Sequence, residues 1–150
     1  MITVAPASPR DPGPRALLQA SHALMEELFP SEANHYLDLT ALEATTIRLF
    51  AASENGETLA TGALAIKDGY GEVKSMFTAP AARGKGAAAA VLARIEETAR
   101  AEGLPLLRLE TGTKLHAAHR LYARAGFTPC GRFGDYPDSE YSLYMEKSLG

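Results

Sequence analysis

Apolar residues change their spacing several times along the chain, and each change predicts an element. "ITVAP" at the start reads as a short strand, and the turn-rich "ASPRDPGP" interrupts it. From Arg15 the apolar positions fall at helical spacing, through Leu17, Leu18, His22, Met25, Leu28 and Phe29, until Pro30 stops the helix. "SEANHYLDLTALEA" has no clear period and reads as a loop with a short helix. A two-residue period then takes over in "TTIRLFAAS", "TLATGALAI" and "EVKSMFTA". The turns "ENGE" and "KDGYG" separate them, with Asn55-Gly56 suited to the positive φ of a two-residue hairpin. These three segments predict an antiparallel meander.

After Ala79 the period returns to helical. Val91, Leu92, Ile95 and Ala99 form one stripe with charges outside it, and Gly103 ends the helix. "LPLLRLET" is dense enough in apolar residues to predict a strand buried on both faces. Leu115, Ala118, Leu121, Tyr122 and Ala125 stripe a second helix, stopped by Gly126. "FTPCGRF" and "EYSLYMEKSL" read as two closing strands. The prediction is a single mixed α/β domain over residues 1–150.

Composition narrows the function. The apolar and charged shares, 46% and 22%, are those of ordinary globular proteins. A formal charge of −3 disfavours a nucleic-acid partner. The lone Cys130 allows no internal disulfide, which points to a reducing compartment. No apolar run reaches membrane-spanning length, and the N-terminus lacks a secretory pattern, so a cytoplasmic protein is expected. His116 and His119 lie at i and i+3, but no third ligand is evident nearby, so no metal is expected. Cys130 reads as a buried thiol on a closing strand.

The most informative stretch is "APAARGKGAAAAVLARIEE". A strand, a glycine-bearing turn and a helix start make an anion site, because the first helical turn has unpaired N–H groups and partial positive charge. Arg83, Gly84, Lys85, Gly86, Ala87 and Ala88 would line it. The spacing is neither a Walker A loop nor a dinucleotide fingerprint. A plain tight turn with alanines for close packing explains the glycines alone equally well.

With "SMFTAP" before it, "RGKGAA" resembles the acetyl-CoA motif of the Gcn5-related N-acetyltransferases, matched here by Arg83, Gly86 and Ala88. "HRLYARAGF" resembles the family's second signature. "EVKSM", "LETG", "FGDY" and the closing Ser-x-x-Met are similar to the YsnE-like members. The resemblance implies a mixed sheet of about seven strands, meander first and then β-α-β-α-β-β, with helices on both faces. It implies that the strands Glu72 to Ala79 and Leu106 to Thr111 splay apart, and that acetyl-CoA lays its pantetheine arm in that gap along Met76, Phe77 and Thr78 and its pyrophosphate on Arg83 to Ala88. It implies that Tyr122 is the acid that protonates the thiolate and Glu72 the base, with Glu110 as rival and an amine arriving neutral as a third case. Glu72 could instead be paired with Lys74. Substrate-binding positions implied by the family are Ser31, Glu32, Tyr36, Glu110, Asp135, Tyr136 and Ser142. One departure stands out: an Asn that many members carry seven residues before the motif tyrosine is Leu115 here. The expected activity is acetylation of a small amine or amino acid by direct attack on the thioester, by a monomer or homodimer. The alternatives are acetylation of a protein or peptide, or a non-catalytic acyl-CoA sensor.

Overall fold

A computed structural model describes residues 1–34 and 37–150. Its seven strands form one sheet: β1 (Thr3–Pro6), β2 (Ile47–Glu54), β3 (Glu57–Ile66), β4 (Gly71–Thr78), β5 (Leu106–Gly112), β6 (Thr128–Pro129) and β7 (Ser142–Ser148). Their spatial order is β1-β2-β3-β4-β5-β7-β6, and β4–β5 is a parallel pair. The helices are α1 (Pro12–Leu28), α2 (Ala87–Ala101) and α3 (His116–Arg124).

The meander follows from its turns. Asn55 and Gly56 sit at φ 54° and 80°, the positive pair that a tight hairpin between twisted strands requires. Helix α1 begins earlier than its apolar stripe, because Pro12 occupies a first-turn position whose missing N–H costs nothing. The ambiguous stretch after it holds two 3-10 turns, Ser31–Ala33 and Ala41–Glu43, rather than an α-helix.

The larger core lies between the sheet and α2 with α3, built on Leu64, Val91, Leu92, Ile95, Leu107 and Leu109. Each such side chain contributes about 1.5–3 kcal/mol when fully buried. A smaller cluster of Leu18, Leu42, Leu49 and Ala63 joins α1 to the other face. Gly62 lets α2 approach, since a Cβ there would collide with Met76, Val91 and Ile95.

Two expectations need correction. β5 is not buried on both faces: Leu107, Leu109 and Thr111 are buried, but Leu106, Arg108 and Glu110 are only half-buried. Arg108 lies over the rings of Tyr70 and Phe133. The strand covered on both sides is β3, where Leu59 to Ala65 are all buried. The "FTPCGRF" segment is strand over Thr128–Pro129 alone. Beyond it the chain folds over the sheet through its aromatic rings, with Phe133 packed edge-on against Tyr70, Tyr136 and Tyr144 at 5.5–5.7 Å.

Candidate active site

The sheet forks at its centre. β4 and β5 pair through Gly71–Leu107, Glu72–Arg108 and Val73–Leu109, and no further. Past Val73 the β4 edge facing β5 has no strand to pair with. β4 also bulges there: its register with β3 shifts between Thr61 and Ala63, and Ser75 takes φ 57°. A bulge bends its strand and twists it away from its neighbour. The buried Thr61 holds it by donating its hydroxyl to the Ser75 carbonyl at 3.1 Å. The Ser75 hydroxyl itself is buried with no hydrogen-bond partner among the described residues.

The fork opens a cavity of about 110 Å³. Lys74, Ser75 and Met76 form one wall, and Glu110, Thr111 and Gly112 the other. Ser21, Met25 and Phe29 of α1, with Leu115, Ala118 and Tyr122 at α3, complete it together with Ala33, Asn34 and Tyr141. Tyr122 is 5% exposed and packs edge-on to Phe127 at 5.8 Å. Burial raises its phenol pKa, and the negative charge of Glu110 raises it further. Tyr122 is therefore a neutral proton donor throughout the physiological range. Glu110 accepts a hydrogen bond from the Ser142 hydroxyl at 2.7 Å.

At the neighbouring end of β4 lies the glycine turn. Gly84 and Gly86 have φ 84° and 82°, and a Cβ on either would meet open space. Gly86 is the N-cap of α2 and supplies no side-chain cap. The first backbone bond of the helix runs from the Ala90 N–H to the Gly86 carbonyl, so the N–H groups of residues 87 to 89 have no intrahelical partner. Arg83 and Lys85 are exposed beside them. The turn thus presents unpaired donors and two cations to one open space, a setting for a phosphate group.

Comparison with known proteins agrees with this geometry. The model of the acetyltransferase (GNAT) family matches residues 15–127. The chain belongs to the GNAT family. Among GNAT relatives, the IAA acetyltransferase of Azospirillum brasilense is 41% identical over 99% of this chain and 98% of its own length. The uncharacterised N-acetyltransferase YsnE of Bacillus subtilis is 38% identical over 83% of this chain and 85% of its own. A candidate acyl-CoA N-acyltransferase of Klebsiella pneumoniae superposes with TM-score 0.86 at 34% identity, covering 100% and 99% of the two chains. The acetyltransferase yncA of Salmonella typhimurium, solved with its cofactor acetyl-CoA, shares the GNAT fold at TM-score 0.74 and 20% identity, over 99% of this chain and 94% of its own.

The structure gathers some of the sequence-derived candidates and separates others. Tyr122, Glu110 and Met76 meet at the cavity, while Phe77 and Thr78 continue the β4 edge beyond it. Arg83 to Ala88 form the turn at α2. Glu72 is 4% exposed and does not line the cavity; it accepts a hydrogen bond from the Tyr136 hydroxyl and pairs with Lys74 at 3.5 Å. Lys74 in turn donates to the Tyr136 hydroxyl at 2.7 Å. Ser31 and Glu32 occupy the first 3-10 turn, but Ala33 and Asn34 are the residues that reach the cavity. Asp135 is exposed in the aromatic segment and away from the cavity wall. Tyr36 lies outside the described residues. Leu115, at the position of the missing Asn, lines the cavity as an apolar residue and is the N-cap of α3. His119 bonds the Gly112 carbonyl through Nε2 at 2.8 Å, which ties α3 to β5. Cys130 is half-buried rather than buried. Sequence reasoning missed Ser75, Lys74 and Tyr141 as cavity residues; nothing in their spacing marks a fork in a sheet.

Proposed function

We propose that the protein is an acetyl-CoA-dependent N-acetyltransferase acting on the amine of a small molecule or amino acid. The observation that carries this reading is the fork: a β4 edge with no strand partner among the described residues past Val73, a glycine turn beyond the end of that strand, and a buried tyrosine in the cavity beside it.

The residues present fit the cofactor. Its pyrophosphate would sit on the N–H groups of residues 87 to 89 beside Arg83 and Lys85, in the space left open by Gly84 and Gly86. Its pantetheine arm would pair with the β4 edge at Met76, Phe77 and Thr78, as an added strand would. Acetyl-CoA supplies the acetyl group already activated as a thioester. The chain's own groups then do three things. A backbone N–H at the bulge near Met76 donates to the carbonyl oxygen as charge develops on it. Tyr122 holds a proton at its hydroxyl for the departing sulfur, whose own basicity rises in the same dry surroundings. Glu110 orients the acceptor amine and takes its proton. The base is assigned to Glu110 over Glu72, the position expected from the family likeness. Glu110 lines the cavity and its charge acts on Tyr122, whereas Glu72 is engaged by Tyr136 and Lys74 outside it. Holding donor and acceptor in one cleft supplies several kcal/mol more through orientation.

The test follows release of free CoA with a thiol reagent against panels of small amines, amino acids and peptides. Release that depends on a small acceptor is expected. Release with peptides only would replace the acceptor class, and acetyl-CoA binding with no release against any acceptor would make the domain a sensor.

A further inference from the structure

The last paired residues of the fork are Val73 and Leu109. The next residue on each strand is charged, and the two charges are opposite: Lys74 on β4 and Glu110 on β5. Both line the cavity. They follow Glu72 and Arg108, which are themselves paired in register, so they stand on the α1 face at the point where the strands part. Each is held in place. Lys74 Nζ is fixed by Glu72 at 3.5 Å and by the Tyr136 hydroxyl at 2.7 Å, with its side chain only 13% exposed. Glu110 is fixed by the Ser142 hydroxyl at 2.7 Å. Met25, Phe29, Leu115 and Tyr141 form an apolar wall, with the Phe29 and Tyr141 rings edge-on at 6.2 Å, while Ser21, Asn34, Ser75 and Thr111 supply neutral polar groups.

We propose that the acceptor is a free α-amino acid with an apolar side chain, bound with its amine at Glu110 and its carboxylate at Lys74. This rests on the transferase reading above and names its substrate class. The charges decide the class. A cation without a carboxylate gains Glu110 but makes nothing of Lys74, whose ammonium Glu72 already faces. An acid without an amine gains Lys74 but faces the Glu110 carboxylate. A zwitterion meets both, with its amine and carboxylate on one carbon and the two charges on adjoining strands. Tyr122 fixes the orientation. Glu110 and Tyr122 line the same cavity, so an amine at Glu110 lies in one space with the proton donor for the leaving sulfur. The side chain is then left to Met25, Phe29, Leu115 and Tyr141. The transfer balances: the amine nitrogen forms the amide bond, the carbon–sulfur bond breaks, the amine proton passes to Glu110 and the thiol takes the proton of Tyr122.

The experiment compares leucine, methionine and phenylalanine with their primary amides and their decarboxylated amines, by CoA release under acetyl-CoA saturation. Each acid is expected to exceed its amide and amine at least 10-fold in kcat/KM, mainly through KM. In the double variant Lys74→Met/Glu72→Gln, which removes both members of the ion pair, that advantage is expected to fall to within threefold. Melting temperature and acetyl-CoA affinity are measured on the same preparation, and the wild-type comparison decides alone if the variant does not fold. Amides or amines that match the acids in the wild type overturn the inference, as does an acid advantage that survives in a folded double variant. Both outcomes leave the transferase reading standing. Turnover of none of these compounds overturns the inference alone; the transferase reading falls only if the wider amine and peptide panels also give no release.

Discussion

Tyr122 combines two jobs that a single substitution separates. It belongs to the core between α3 and the sheet, and it also lines the cavity. Tyr122→Phe keeps the ring. Stability is expected to change by only about 1 kcal/mol, while kcat falls by about 10² to 10⁴ and kcat/KM falls with it. A kcat within about threefold of wild type, in a folded variant that binds acetyl-CoA, would reduce Tyr122 to a core aromatic. Glu110→Gln is expected to lower kcat by about 10² or more and Glu72→Gln by less; the reverse order in pH–rate profiles would return the base to Glu72. Ser75 carries a prediction of the opposite sign for stability. A serine at φ 57° bears backbone strain that glycine does not, and its buried hydroxyl has no partner among the described residues. Ser75→Gly is expected to gain about 1 kcal/mol in denaturant unfolding, and a loss of stability would show that its side chain supports the bulge. Tyr122 was legible because "LYARAGF" places it in a motif. Ser75 was not, since strained positions usually announce themselves as Gly or Asn and this one does not. The contact of Glu72 with Tyr136 joins positions 64 residues apart, beyond the reach of any local pattern.

Among the elements, α2 bears most of the cofactor argument. Gly86 is its N-cap, and Gly86→Glu would add strain, bulk and negative charge where the pyrophosphate is proposed to lie. Titration calorimetry is expected to find acetyl-CoA binding with Kd of about 1–50 μM in the wild type and none in the variant; unchanged affinity would remove the turn from the site. At its other end, α2 is tied to β7 and α3 through Glu96. Burial pushes the Glu96 carboxyl up, but Lys147 and Arg100, each at 2.8 Å, outweigh it and hold the pKa below its ordinary value. Lys147 also donates to the Ala125 carbonyl at 2.7 Å. A lowered folded-state pKa means that the unfolded chain binds the proton more tightly. The contribution is therefore full above the ordinary carboxylate range and is lost as pH falls through the depressed value. Glu96→Gln is expected to cost about 1–2 kcal/mol at pH 7, with the gap to wild type closing below about pH 4; a gap that persists in acid would assign the effect to packing. The elements were legible wherever the period was strong, as in the Asn55-Gly56 hairpin and the α2 stripe. They were not legible between Pro129 and Ser142, where aromatic residues pack against one another and against Arg108 instead of pairing, although the closing strand β7 beyond was.

For the whole molecule, the departure from a regular sheet is the fork, and the proposed function depends on it. Three paired residues hold β4 to β5, and the α2 and α3 core holds the halves apart beyond them. The sequence placed both strands but could not show where their pairing stops, because that depends on a bulge opposite Thr61 and on helices packed from one side. An arm of acetyl-CoA laid along β4 would give its exposed edge the partner that β5 does not provide. Amide hydrogen exchange with and without acetyl-CoA tests this directly. Slower exchange is expected at the amides of residues 75–78 and of residues 84–89, with β1 and β2 unchanged. Binding that leaves both segments as they were, or that protects only the outer strands, would contradict the account.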